Sequence, residues 1–146
     1  LRKLSLFAEE YNEKSDFDDV LLADGLQKGL PAISLCAHSA LMTAFSNDEA
    51  PSFVFAQQVY AYAKNNDILF AFSTSGNSEN VVYAAKAAKA AGIKSVAITG
   101  QKESRLSEIC DVCIRIPETE TFRIQELTLP VYHCLAAMIE EKYFEI

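Results

Sequence analysis

Four hydroxyl residues lie within six positions near the middle of this 146-residue chain. Ser73, Thr74, Ser75 and Ser78 surround a glycine in the sequence Ser-Thr-Ser-Gly-Asn-Ser, which we call the hydroxyl loop (residues 73–78). A predicted helix follows it, and a helix N-terminus offers unpaired backbone N–H groups and the positive end of a dipole. These donors and hydroxyls together predict a phosphate site.

A strand and a helix position this loop. The apolar run Asp67–Phe72 predicts a strand before it, and the alanine-rich run Val81–Ala91 predicts a helix after it, capped by Gly92. The alternative is a plain strand-to-helix turn with N-capping by Ser75 or Asn77. Capping needs one such residue, and four hydroxyls exceed that need, so phosphate binding is favoured.

Strands and helices alternate along the rest of the chain. Further strands are predicted at Pro31–Cys36, Lys94–Thr99 and Asp111–Ile116, and further helices at Leu1–Lys14, Ser39–Phe45, Ser52–Lys64, Ser104–Ile109 and Thr121–Lys142, the last interrupted by Pro130. Short, continuously apolar strands are typical of a parallel sheet buried on both faces. We therefore expect a single α/β domain, a three-layer sandwich of flavodoxin or Rossmann-like type, with ligands beyond the carboxyl ends of the strands.

Composition narrows the class of partner. Half of the residues are hydrophobic and the net charge is −7, which argues against nucleic-acid binding. No secretory signal or membrane-length apolar run is visible, so we expect a cytoplasmic protein without membrane contact. Cys110 and Cys113 form a C-x-x-C that is open to zinc or redox chemistry, but reduced cysteines packed in the core are favoured.

The hydroxyl loop, followed by Asn80-Val-Val and by the strand Val96-Ala-Ile-Thr-Gly100, resembles the sugar isomerase (SIS) domain. Three further segments resemble the phosphoheptose isomerase branch of that family. They are Phe7–Glu10, similar to a first active-site helix, Asn47-Asp48, similar to a substrate loop, and Arg123–Glu126 with His133, similar to a final helix.

The resemblance implies an activity and an assembly. That branch interconverts sedoheptulose 7-phosphate and D-glycero-D-manno-heptose 7-phosphate as a homotetramer with active sites between subunits, often with zinc. It implies that Ser73, Thr74, Ser75 and Ser78 bind the phosphate, that Asn47 and Asp48 contact the sugar, and that Gln125 also lies in the substrate site. It also implies that Glu10 is the general base and His133 the general acid.

Two departures from the branch bear on metal and on completeness. The resemblance makes Glu10, Gln125 and His133 three of four metal ligands, but Leu6 replaces the fourth, a histidine. Two alternatives follow, a weaker zinc site with three protein ligands or a site without metal. Nothing matches the first helix, first strand and Gly-rich loop of the branch. We therefore expect the chain to lack these front elements of the domain.

The proposed acid and base have ordinary alternatives. An aldose–ketose isomerisation moves a proton between adjacent carbons through an enediol and needs both groups. Glu10 has an ordinary alternative role, that of a solvated glutamate on the helix surface. Glu9 is the other candidate for the base, but helical phase puts it on another face. The alternative role of His133 is that of an ordinary histidine in the protein interior. His133 stands eight residues from Gln125, roughly 12 Å along a helix, which favours a bend at Pro130 or a subunit interface.

Two other functions fit the hydroxyl loop. One is a non-catalytic phosphosugar-binding protein, acting in regulation or as a scaffold in replication initiation, which Leu6 favours. The other is a different SIS enzyme acting on an amino-sugar phosphate. Glu10, Gln125 and His133 together favour the isomerase. Arg123 has two candidate partners, the phosphate and Glu126.

Overall fold

The computed structural model of the protein describes Leu26 and residues 29–144. The chain divides into two compact units. One unit consists of residues 34–131 and contains the sheet and the hydroxyl loop. The other takes in the chain up to Ile33 and from Tyr132 onward, and its largest described part is the end of the last helix.

A parallel sheet of three strands forms the centre of the first unit. Strand β1 spans Ile68–Phe72, β2 spans Lys94–Thr99 and β3 spans Val112–Arg115, in the order β1-β2-β3. Phe70 pairs in register with Val96, which pairs with Val112. The three predicted strands at these places are confirmed, and so is the α/β class with helices flanking a parallel sheet.

Helices connect and flank the strands. Their bounds are α1 Ser39–Asp48, a 3-10 turn Pro51–Phe53, α2 Val54–Tyr62, α3 Glu79–Ala90, α4 Arg105–Ile109 and α5 Thr121–Tyr143. The predicted interruption at Pro130 is wrong, because α5 continues through it. A proline inside a helix removes one backbone hydrogen bond without necessarily ending the helix. No helix in the described part of the chain is long and apolar enough to cross a membrane.

Small side chains let α3 pack closely against the sheet. Val82, Ala85 and Ala88, which recur at helical spacing, are fully buried, as are Ala97 of β2 and Leu106 of α4. Gly92, two residues beyond α3, terminates the helix with a φ of +73°. There the N–H groups of residues 92 and 93 donate to the carbonyls of residues 89 and 88, a Schellman motif that confirms the predicted cap.

The expected burial of both strand faces holds for the central strand only. In β2, four of six residues are buried and Val96 is partly so. In the edge strand β1 burial alternates, and Ile68, Phe70 and Phe72 are 61%, 39% and 50% exposed. Successive side chains of a strand point to opposite faces of the sheet, so the three exposed residues share one face of β1, and the buried Leu69 and Ala71 share the other.

The predicted strand at Pro31–Cys36 is wrong. The segment belongs to no strand, and Pro31 to Ser34 are exposed. The N–H of Ala37 donates to the Ser34 carbonyl at 3.1 Å, which closes a turn. The Leu35 carbonyl accepts from Nε2 of Gln58 at 2.9 Å, so a side chain takes the place of a neighbouring strand.

Candidate functional site

The hydroxyl loop leaves the carboxyl end of β1 and enters α3. The N–H of Ser73 donates to the Ile98 carbonyl at 3.1 Å and extends the β1–β2 ladder by one residue. The N–H of Gly100 donates to the Thr74 carbonyl at 3.0 Å. The loop is thus fixed to the segment after β2, at the carboxyl edge of the sheet.

Gly76 lets the loop turn sharply beside α4. Its φ of +65° lies in the left-handed region that favours glycine. A Cβ at this position would stand 2.1 Å from Oγ of Ser104, the buried residue that caps α4. The Gly76 carbonyl also accepts from the Leu106 N–H at 3.1 Å. A side chain here would therefore displace the loop from α4.

Hydrogen bonds within the loop leave hydroxyl protons available. The hydroxyls of Ser73 and Ser78 lie 3.0 Å apart, and one donates to the other. The Ser75 hydroxyl accepts from the Asn77 N–H at 3.1 Å, so its own hydrogen remains free. Each hydroxyl has a single hydrogen, so the pair of Ser73 and Ser78 also retains one free donor.

Backbone donors without partners surround these hydroxyls. Within the described residues, five N–H groups of the loop and the first turn of α3 make no hydrogen bond, those of Thr74, Ser75, Ser78, Glu79 and Asn80. Unpaired N–H groups at a helix N-terminus, together with its dipole, are a favourable environment for an anion. The arrangement therefore suits a phosphate group chemically.

Side-chain capping does not account for the hydroxyl loop. Ser78 is the N-cap of α3, and its side chain makes no capping bond. Its hydroxyl is paired with Ser73 instead. The predicted alternative, capping of this helix by Ser75 or Asn77, is wrong, because the Asn77 amide oxygen accepts from the N–H of Arg105 at 3.0 Å.

Two arginines that follow β2 in the chain, Arg115 and Arg123, are paired with carboxylates. Arg115 forms an ion pair with Glu103, and this hydrogen bond lowers the pKa of Glu103, with a second contribution from the Ser107 hydroxyl. Arg123 lies 3.6 Å from Glu118, so its carboxylate partner is Glu118 and not Glu126. The loop itself contains no lysine or arginine. Its attraction for an anion comes from N–H groups and hydroxyls.

The two predicted sugar-contacting residues form the end of α1. Asn47 and Asp48 are exposed, and Nδ2 of Asn47 donates to Oδ1 of Asp48 at 2.9 Å. The prediction that they follow the helix in a loop is wrong. The helix continues to Asp48, and the Glu49 N–H donates to the Phe45 carbonyl.

The residues predicted for catalysis and metal binding lie in different parts of the chain. Gln125 is exposed on α5, next to the buried Ile124. His133 lies further along the same helix, in the other unit, and its ring meets that of Tyr132 edge-on at 4.7 Å. Glu10 and Leu6 lie outside the described residues. The roles of all these residues stay predictions.

The cysteines form no metal centre in the described chain. All four are free thiols. Burial raises the pKa of Cys110, and Sγ of Cys113 lies 3.5 Å from the Thr99 hydroxyl. Among residues 29–144 and Leu26, no group of three or more His, Cys, Asp or Glu is placed to hold a metal ion.

Two contacts of the loop were not predicted. Asn77 bonds to Arg105, 28 residues away, and Gly100 packs so closely that a Cβ would lie 2.9 Å from the Thr74 carbonyl oxygen. Gly100 comes directly after the last residue of β2, and a glycine at such a place is a sequence signal that another part of the backbone approaches closely. Ser104 and Ser107, three residues apart, are a signal for the helix start that Asn77 contacts.

The parallel sheet and the donor-rich loop at its carboxyl edge define the protein as an α/β domain with a loop suited to an anion. The chain belongs to the SIS domain family, whose model matches residues 30–139.

Within that family, the chain is similar to proteins named phosphoheptose isomerase. It is 38% identical to that of Rhodospirillum rubrum over 77% of this chain and 60% of the relative. It is 42% identical to that of Thermodesulfovibrio yellowstonii over 81% of this chain and 59% of the relative. The solved phosphoheptose isomerase from Francisella tularensis superposes with a TM-score of 0.75 at 32% identity, over 93% of this chain and 70% of that one. The chain thus spans about 60% of the length of these curated relatives.

Proposed function

We propose that the protein is a phosphosugar isomerase that interconverts sedoheptulose 7-phosphate and D-glycero-D-manno-heptose 7-phosphate. The observation that carries this proposal is the hydroxyl loop, with five unpaired N–H groups and free hydroxyl protons and with no cation of its own. The names of the relatives support the same substrate class.

In this proposal the phosphate anchors the sugar, and the hydroxyls of Ser73, Thr74, Ser75 and Ser78 bind it. Anchoring a remote, non-reacting group positions the reacting carbons and turns binding energy into orientation. Asn47, Asp48 and Gln125 contact the sugar hydroxyls. Amide and carboxylate groups suit this role because they accept and donate hydrogen bonds in fixed directions.

The proton transfer needs two groups of opposite function. Glu10 takes the proton from the carbon next to the carbonyl, and the bonding electrons form the enediol as His133 gives a proton to the carbonyl oxygen. Glu10 then returns its proton to the neighbouring carbon while the hydroxyl on the first carbon gives its proton to His133, which forms the new carbonyl and restores both groups. Partial burial of Glu10 would raise its pKa towards neutrality, as a general base requires.

Zinc is a further part of the proposal. Glu10, Gln125 and His133 would hold it, and a bound zinc ion polarises a carbonyl oxygen as a Lewis acid. In the described residues the donor set consists of one amide and one imidazole on α5, with no cluster around them. No proton-transfer step is assigned to the metal.

We also propose a homotetramer with active sites between subunits. The support is the spacing of Gln125 and His133, eight residues apart in the continuous helix α5. A separation of roughly 12 Å prevents both from contacting one small ligand atom unless the helix bends or different chains contribute them. A monomer at working concentration would contradict this assembly.

The test is turnover and binding by the full-length protein. Sedoheptulose 7-phosphate is supplied with and without zinc, product is followed, and binding is measured by calorimetry. We expect conversion to the aldose phosphate. Binding without turnover in either condition would reject the isomerase and favour a phosphosugar-binding regulator or scaffold, which Leu6 also favours. An absence of binding would reject both functions.

A further inference from the structure

Asn77 connects the hydroxyl loop to α4 through its side chain. Its Oδ1 accepts from the backbone N–H of Arg105, the first residue of α4, at 3.0 Å. Its Nδ2 donates to the carbonyl oxygen of Ser75 at 2.9 Å, and its backbone N–H donates to the Ser75 hydroxyl at 3.1 Å. Asn77 therefore holds two different atoms of Ser75 while it is itself held by α4.

The start of α4 is a firm attachment point. Ser104 and Ser107 form a reciprocal capping box, with their side-chain oxygens accepting from each other's backbone N–H groups at 3.3 and 2.8 Å. The adjacent Leu106 is fully buried in the core, and its N–H donates to the Gly76 carbonyl. A contact made to this helix end is thus fixed relative to the sheet.

These bonds determine which polar atoms of Ser75 remain available to bind an anion. The Asn77 N–H occupies a lone pair of the Ser75 hydroxyl and leaves its hydrogen free to donate. The Asn77 amide engages the Ser75 carbonyl oxygen, an electron-rich atom that repels anions. The Ser75 N–H itself has no partner within the described chain. Ser75 is left with two free donors and an occupied acceptor.

We propose that Asn77 is a positioning residue that keeps Ser75 in a donor arrangement for the sugar phosphate. This inference rests on the proposed phosphosugar activity. A site that is ordered before binding loses less conformational freedom when the ligand arrives, so loss of the Asn77 side chain weakens binding. Asn77 is tied to phosphate contacts and not to the reacting carbons, so the chemical step is retained.

The test compares Asn77→Ala with Ser107→Ala in the full-length protein. Ser107→Ala removes half of the capping box at the same helix end and removes no hydrogen bond to the loop. Dissociation constants for inorganic phosphate and sedoheptulose 7-phosphate are measured with kcat, KM and thermal stability. For Asn77→Ala we expect both dissociation constants and KM to rise about tenfold, with kcat within about twofold of the wild type.

A second variant separates folding from positioning. Asn77→Asp keeps an acceptor for the Arg105 N–H but lacks the donor to the Ser75 carbonyl. At high ionic strength, which reduces the repulsion between its added charge and phosphate, we expect it to bind phosphate more weakly than the wild type. Equal affinity of the wild type and both Asn77 variants would overturn the proposal, as would an equal loss in Ser107→Ala or a fall in kcat at constant KM.

The result also separates this inference from the function on which it rests. A wild-type protein that binds neither phosphate nor sedoheptulose 7-phosphate rejects the proposed function and the role of Asn77 together. A wild-type protein that binds and turns over the sugar phosphate, with an Asn77→Ala variant that does so equally well, rejects the role of Asn77 alone.

Discussion

The hydroxyls of Ser73 and Ser78 lie 3.0 Å apart, so a hydrogen bond joins the first and last residues of the hydroxyl loop. Ser73 follows β1 directly and is buried, whereas Ser78 is the exposed N-cap of α3. The bond therefore links the end of the strand to the start of the helix. It also orders the two hydroxyls relative to the unpaired N–H groups between and after them.

Replacement of Ser78 by alanine is expected to weaken phosphate binding. The variant removes the Ser78 hydroxyl and leaves the remaining donor, the Ser73 hydroxyl, without the partner that orients it. A hydrogen bond to a charged group is worth about 1.5–3 kcal/mol, so we expect the dissociation constant for inorganic phosphate to rise roughly 10- to 100-fold. Titration calorimetry on the full-length protein measures this change.

Thr43→Ala is the matched control for that loss of a hydroxyl. The Thr43 hydroxyl bonds to the carbonyls of Ser39 and Ala40 within α1 and makes no hydrogen bond to the loop. Its replacement should leave phosphate affinity unchanged. If Ser78→Ala binds phosphate as tightly as Thr43→Ala does, the hydroxyl pair has no part in binding.

Alanine at Gly76 should destabilise the protein more than alanine at Gly92. Both glycines have left-handed φ values, +65° and +73°, so both substitutions add backbone strain of about 1–2 kcal/mol. Only at Gly76 does the new Cβ meet a neighbour, 2.5 Å from Cβ of Ser104, whereas nothing lies within 4 Å at Gly92. Overpacking adds about 1–3 kcal/mol.

Urea unfolding of the two variants measures the difference. We expect the free energy of unfolding to fall by about 1–3 kcal/mol more for Gly76→Ala than for Gly92→Ala. Equal losses would mean that the loop shifts away from Ser104 without cost. The close packing of Gly76 would then not be what shapes the loop.

The sequence predicts strand bounds best for the strand that has neighbours on both sides. Lys94–Thr99 is predicted with the observed bounds, because β2 is central and covered. Pro31–Cys36 has a similar apolar pattern but is no strand, since a local turn and the Gln58 side chain take its hydrogen bonds. Apolar pattern alone does not say whether a neighbouring strand is available.

Local chemistry of the site is likewise more predictable than its long-range contacts. The hydroxyl loop is evident from residue types, and its place after β1 follows from the strand before it. The link from Asn77 to Arg105 joins residues 28 apart, and no spacing rule indicates it. The end of α1 was misjudged because Asn47 and Asp48 are poor helix formers that α1 nevertheless includes.

Asp111 is expected to make stability depend on pH in the acid range. Its carboxylate accepts from Lys94 at 2.8 Å and from the N–H and hydroxyl of Ser95 at 2.9 and 3.1 Å. These bonds, the one from Lys94 foremost, lower its pKa from 3.8 to about 2. The ionised form is favoured in the fold, so its contribution is present above pH 3.8 and is lost as the pH falls towards 2.

Asp111→Asn tests that dependence against Glu108→Gln. Glu108 is exposed, and its side chain makes no ion pair in the described part of the chain. Unfolding free energies are compared with those of the wild type from neutral pH down to about pH 2. The deficit of Asp111→Asn should shrink as the pH falls, while that of Glu108→Gln should not show this trend. A constant deficit for Asp111→Asn would exclude the carboxylate bonds as its cause.

Glu10→Gln is expected to abolish turnover of sedoheptulose 7-phosphate and to spare its binding. The amide retains the size and hydrogen-bonding capacity of the side chain but cannot take a proton, so the step lost is proton abstraction and not phosphate recognition. Glu9→Gln is the matched control, because it makes the same change one residue away on another predicted helix face. Calorimetry gives the dissociation constant of each variant, and product formation gives kcat. Exchange of the sugar's carbon-bound hydrogen with solvent deuterium reports the first proton transfer by itself.

We expect Glu10→Gln to lose both exchange and turnover, with a dissociation constant close to that of the wild type. Glu9→Gln should keep exchange, turnover and binding. Loss of exchange in Glu9→Gln with retention in Glu10→Gln would transfer the role of base to Glu9, and retention in both would remove this helix from the proton transfer.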